Sequence, residues 1–173
     1  MRVSPTLSSS APTAGPTASW RELPIPEDMV VIVDNREQLP LFVDLPFVRG
    51  GTLQNGDYSL EGFEHKVFIE LKRLSDFFSY IGAERVLKTE PKLKRLDDFF
   101  FRGLCVVESE ATLFSSKQLH TKLGPEHVRG FVTSLNVRYG VHFYANPNED
   151  AVRRWVLDRL IYCFKMIRNG EIS

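Results

Sequence analysis

The chain has little cysteine, little tryptophan and no surplus of either charge. Two cysteines in 173 residues, Cys105 and Cys163, rule out a disulfide-stapled scaffold. They stand far apart in apolar runs, and neither has a second Cys or a His at ligand spacing. With the histidines (His65, His120, His127, His142) scattered as well, a zinc site has no support. The expectation is two reduced core thiols in an intracellular protein. No run approaches the roughly 20 apolar residues of a membrane span. Lys plus Arg (22) equals Asp plus Glu (22), so net charge argues neither for nor against a polyanionic partner.

What is present is globular: 43% hydrophobic residues, with 13 Phe. The opening "MRVSPTLSSSAPTAGPTASW" is rich in Ser, Thr, Ala and Pro and lacks the apolar segment of a secretory signal. Residues 1–24 are expected to be a flexible tail and 25–173 a single domain.

Beyond the tail, "MVVIVDNRE" places four β-branched aliphatics, Val30 to Val33, in a strand buried on both faces. "QLPLFVDLPFVRGG" reads as loop with at most a short strand near Phe47 to Arg49, and "DYSL" and "KVFIELK" as short strands around a turn at Gly62. A helix is predicted from Ser75 as N-cap, and a second piece with Pro91 near its first position. "LCVVE" is a buried strand, Val128, Phe131, Val132 and Leu135 mark a helix face, and "VHFYAN" is a strand. A long helix follows, with a stripe from Val152 to Ile167. This order predicts an α/β fold: a mixed central sheet covered by helices on both faces.

Residues two apart in a strand share a face, so Glu70 and Lys72 point one way with Phe68, and Ile69 and Leu71 the other. If "DYSL" pairs with this strand, Asp57 reaches the same end of the sheet. Two converging carboxylates suit Mg²⁺ or Mn²⁺, hard ions that also take phosphate oxygens. A neighbouring lysine can orient an activated water and offset charge on a phosphorane. Taken alone, Asp-x(n)-Glu-x-Lys arises by chance about once in a chain of this length. A solvated hairpin face with a Glu–Lys pair explains it equally simply.

The flanking residues are more specific. "IVDNRE" (Ile32 to Glu37), "GDY" (Gly56 to Tyr58) and "ELKRLSD" (Glu70 to Asp76) together resemble the nuclease domain of the XPF/Hef structure-specific endonucleases. The resemblance extends from about Val30 to Lys165, through "LCVVES" and the helix, strand and helix that follow. It implies a restriction-endonuclease-like fold and Mg²⁺- or Mn²⁺-dependent DNA cleavage, on branched or flapped DNA in repair, recombination or replication. By the same resemblance Asp57 and Glu70 are metal ligands and Lys72 the catalytic lysine. Asp34, Arg36 and Glu37 form the supporting strand end, with Asp34 and Glu37 also placed to touch metal directly or through water. Asp76 matches the family's trailing acid, and a first-turn capping role remains open for it.

Leu71 departs from the family, which has Arg there. The helix usual between the first two motifs is largely absent. The family's two helix-hairpin-helix motifs are not found up to Ser173, which leaves junction recognition open. A DNA path is suggested by Arg85, Lys88, Lys92, Lys94 and Arg95, and by Lys117, Lys122, Arg129 and Arg138; a solvated helix face accounts for the same charges. A homodimer through the last two helices is expected if Phe131, Trp155 and Phe164 exceed what one sheet face covers. The alternative function is a non-catalytic DNA-binding or dimerisation module of the same fold. A nuclease acting on RNA also stays open, because a metal site does not read the sugar.

Overall fold

The structure is a computed structural model and describes residues 19–82, 85–115 and 123–172. Six strands form one sheet: β1 (Val31–Asp34), β2 (Val48–Gly51), β3 (Tyr58–Leu60), β4 (Val67–Lys72), β5 (Phe101–Val106) and β6 (His142–Ala145), in the order β2-β1-β3-β4-β5-β6. The sheet is mixed. β1 runs parallel to β2 and antiparallel to β3, β3 is antiparallel to β4, and β4, β5 and β6 are mutually parallel neighbours. Parallel neighbours need crossovers. The one from β4 to β5 carries α1 (Leu74–Ile81), a π-helical turn (Arg85–Thr89) and α2 (Glu90–Lys94); the one from β5 to β6 carries α3 (Glu110–Leu113) and α4 (Pro125–Tyr139). α5 (Glu149–Arg168) follows β6.

The strand alternation sorts the core into two halves. Phe68, Leu104 and Val106 face α1, α2 and α4, where they meet Phe77, Phe78, Leu93, Phe131 and Leu135. Ile69, Leu71 and Cys105 face the other way, onto Val152, Trp155, Val156 and Leu160 of α5. Helices therefore cover both faces, as the sequence pattern predicts.

Three expectations need correcting. The tail does not extend to residue 24: Trp20 is buried against Phe42, and its indole N–H donates to Asp150 Oδ1 at 3.0 Å. One large aromatic offsets the entropy of ordering the polar residues around it. Ser75 is not the cap of α1, which begins at Leu74 after Arg73 with no side-chain cap bond. Phe131 and Trp155 are not surplus, being 5% and 7% exposed inside the chain's own core, with Phe164 packed at its margin. Their burial removes the ground for a dimer through them.

Arg73 links the sheet end to α5. Its guanidinium donates to Glu149 Oε2 at 2.9 Å, while Arg153 ties Leu41 O to the same helix start. Among the described residues, no helix is long and apolar enough to cross a membrane.

Candidate active site

The site begins with Gly56, whose φ of +81° is a conformation glycine adopts without strain. A Cβ there would lie 2.9 Å from Ile69 O and 3.0 Å from the Phe68 ring, so the chain passes β4 too closely for any side chain. That approach lets Asp57 bridge two strands: its N–H donates to Ile69 O at 2.8 Å, and its carbonyl accepts from Asp34 N at 2.9 Å. Tyr58 completes the motif from the opposite face, where its buried hydroxyl accepts the N–H of Leu41 at 2.7 Å. Each residue of Gly-Asp-Tyr thus has a distinct structural task.

On β4, Glu70 and Lys72 share the face predicted from their spacing, and Asp57 joins them. The Asp57 carboxylate accepts the Leu71 backbone N–H through Oδ2 at 2.7 Å. Lys72 Nζ lies 2.6 Å from Glu70 Oε1 and 4.0 Å from Asp57 Oδ2. It also sits 5.5 Å from the Tyr80 ring centroid, so α1 forms one wall. The other Glu70 oxygen, Oε2, is 2.5 Å from the ammonium of Lys92 on α2. The charge pattern of the sequence suggests Lys92 for a DNA path, and the fold brings its ammonium onto Glu70.

Burial decides the charge states. Glu70 is 5% exposed, and burial opposes its charge most strongly. Lys92 and Lys72 overcome that cost and hold its carboxyl below the ordinary range. Asp57 goes the other way: burial and then the Glu70 charge push it up to about 7, with Lys72 offsetting only part. Lys72 is likewise desolvated, but Glu70 and Asp57 outweigh burial and raise its ammonium above the usual value.

Asp34 at the end of β1 accepts the backbone N–H and Nε of Arg36 on Oδ1, and Arg36 Nη2 and the Leu53 N–H on Oδ2, each at 2.8 Å. The Arg36 contacts hold its carboxyl down at about 2. Both Asp34 oxygens are therefore committed within the strand end. Glu37 turns to the loop, accepting Leu39 N–H at 2.9 Å. Asp76 is exposed in the first turn of α1, near enough to favour the charge on Lys72.

The remaining basic residues divide. Arg85 pairs with Glu90 at 3.4 Å, and Lys88, Lys94 and Arg95 are exposed along the same segment. Arg129 pairs with Glu126 on α4 at 2.9 Å, and Arg138 is exposed. Lys117 and Lys122 lie outside the described residues.

Among the described residues, no three His, Cys, Asp or Glu side chains converge as a metal cage. Asp57 and Glu70 offer two carboxylates, and this fits Mg²⁺ or Mn²⁺, which complete their shells with water and substrate oxygens. The raised Asp57 has the electrostatic character of such a donor, since a cation between the pair would relieve the repulsion behind part of its shift.

A mixed sheet with parallel crossovers and Asp, Glu and Lys gathered at one strand end is the restriction-endonuclease-like fold. The solved structures similar to this chain carry that fold. XPF from Aeropyrum pernix aligns at a TM-score of 0.56 with 17% identity, over 81% of this chain and 69% of its own. XPF from the same organism in complex with DNA aligns at 0.57 with 17% identity, over 78% of this chain and 64% of its own. No family model and no curated protein sequence matches the chain.

Proposed function

We propose that this chain is a divalent-metal-dependent DNA endonuclease. The observation that carries the proposal is the convergence of Asp57, just before β3, with Glu70 and Lys72 of β4 at the end of a restriction-endonuclease-like sheet. The similar Aeropyrum pernix structure in complex with DNA supports nucleic acid as the substrate. Branched or flapped DNA follows from the motif resemblance.

Asp57 and Glu70 would hold Mg²⁺ or Mn²⁺, which when bound lowers the pKa of a water and polarises the phosphate. Lys72 keeps its proton, lies beside both carboxylates, and sets a positive charge where the attacked phosphorus gains negative charge. Tyr80 and Phe68 wall the site with apolar surface, which limits bulk water and strengthens each charge contact. Arg36 holds Asp34, and Asp34 N–H holds the Asp57 carbonyl, so the "DNRE" end of β1 positions Asp57 without touching the reacting atoms.

The pairing of both Glu70 oxygens with lysines is the observation that favours the alternative, a non-catalytic DNA-binding module. One experiment separates the two. Purified protein is incubated with flapped, forked and linear DNA, and with RNA of the same sequences, with Mg²⁺, Mn²⁺ or EDTA. Metal-dependent cutting that disappears in Lys72→Ala and Asp57→Ala establishes the nuclease. Binding without cutting on every substrate establishes the alternative, and cutting of RNA alone reassigns the substrate.

A further inference from the structure

Glu70 is held by two lysines of different character. Lys72 belongs to β4, its backbone fixed opposite Val106 in the parallel ladder, and its ammonium is wedged between Asp57, Glu70 and the Tyr80 ring. Lys92 arrives from the helical layer that covers the sheet. It sits in the five-residue helix α2, with Pro91 in the first turn, directly after the π-helical turn Arg85–Thr89. Such turns are rare and occur frequently at functional positions. Here the turn is anchored by Thr89, whose buried hydroxyl donates to Tyr80 O at 2.8 Å. Leu93 is buried beside it, so the backbone that presents Lys92 is seated in the core.

The Lys92 side chain is less confined than its backbone. Its stem passes the Phe68 ring, with Nζ 5.4 Å from the centroid, and it remains 24% exposed against 18% for Lys72. Lys88 and Arg95, about one turn to either side, are exposed. Lys92 is therefore the inner end of a basic segment that continues to the surface.

The charge balance gives this lysine a task. Lys72 and Lys92 between them hold both oxygens of Glu70, so the protein already neutralises that carboxylate by itself. A divalent cation entering beside two ammonium groups meets repulsion that one lysine alone would halve. Lys92 holds Glu70 Oε2, so a cation ligated through that oxygen has to displace it.

On the nuclease reading above, we propose that Lys92 is an exchangeable cation of the active site: it neutralises Glu70 in the free protein, yields that oxygen to the divalent metal, and then contacts the phosphodiester of bound DNA. A lysine on a flexible stem with three rotatable donors suits such an exchange. Lys92 is then a positioning residue for the metal and a binding residue for the phosphate.

The test measures metal binding directly, without turnover. Mn²⁺ affinity of the full chain is read by electron paramagnetic resonance, without DNA, for wild type, Lys92→Met, Lys92→Gln and Lys92→Arg. Lys92→Cys is measured before and after aminoethylation, which restores an ammonium; Cys105 and Cys163 are buried and shielded from the reagent. Removing the charge is expected to tighten Mn²⁺ binding on the order of tenfold. Arginine and the aminoethylated cysteine return it toward wild type. In Ca²⁺, DNA binding by Lys92→Met is expected to weaken and its salt slope to fall by about 1. Having both Met and Gln variants guards against one failing to fold. Equal Mn²⁺ affinity with and without the ammonium overturns the proposal while a cutting wild type preserves the nuclease reading. Unchanged DNA affinity overturns the phosphate contact. If neither wild type nor the neutral variants bind Mn²⁺ or cut DNA, both readings fall.

Discussion

The Asp57 carboxylate accepts the backbone N–H of Leu71 at 2.7 Å, so the middle residue of Glu-Leu-Lys serves the site through its main chain. A main-chain donor aims Asp57 between Glu70 and Lys72 whatever side chain stands at Leu71. The chemistry should then depend steeply on the three charged groups. Asp57→Asn, Glu70→Gln and Lys72→Ala are each expected to lower single-turnover cleavage by about a hundredfold or more. Circular dichroism should stay that of wild type. Lys72→Arg should not restore the rate, because a planar guanidinium cannot occupy the space of an ammonium between two carboxylates.

Leu71 itself belongs to the half of the core under α5, at 3% exposure. Leu71→Ala is expected to cost about 2–4 kcal/mol through the cavity it leaves. Leu71→Arg, which matches the family pattern, is expected to cost more, because the guanidinium enters an apolar layer without a partner. Urea midpoints check both. Cleavage per folded molecule should be unaffected in Leu71→Met, which conserves volume and leaves the Leu71 N–H in place.

Asp34 supplies a pH dependence of definite sign. Its pKa falls from 3.8 to about 2 on folding, chiefly through the Arg36 hydrogen bond. A lowered folded pKa means stability that is present above pH 3.8 and disappears as pH falls through about 2. With Arg36 itself largely exposed and screened, the contribution is about 1–2 kcal/mol. Asp34→Asn should lower the melting temperature at pH 7, and the gap from wild type should close between about pH 4 and pH 2.

Trp20 ties the segment before residue 25 to the core. Trp20→Ala removes a buried indole and its bond to Asp150, at an expected cost of about 3–5 kcal/mol. A shortened chain starting at residue 25 should show the same loss of melting temperature.

The exposed basic residues near α2 should act through counterions. Lys94→Ala and Arg95→Ala are each expected to reduce the salt dependence of DNA binding by about one unit of slope, with similar effects across sequences. Equilibrium titrations across a range of KCl concentrations measure this. An unchanged slope would place the DNA elsewhere.

The strand-borne part of the site is legible in the sequence because it depends on local periodicity. Alternation along β4 puts Glu70 and Lys72 together, and the Gly56 close approach has its signature in Gly-Asp-Tyr. Lys92 is not legible as a site residue. Its reach depends on a π-helical turn and on how α2 packs against Phe68, and neither leaves a pattern in the charge spacing. Trp20 escapes a sequence reading because polar neighbours outweigh one aromatic in any window average. Asp34 looks available to a metal because the Leu53 N–H that occupies it comes from a distant loop.

The sheet separates two apolar halves, and the charged groups all project into the one beneath α1, α2 and α4. Thermal robustness and catalytic geometry are therefore adjustable apart. An engineer can refill the α5 side around Val156, Leu157 and Leu160 to harden the protein, and drift there during evolution leaves the charge arrangement intact. Changes around Phe68, Tyr80 and Leu93 have no such freedom, since each sits against a lysine of the site or the segment that delivers one.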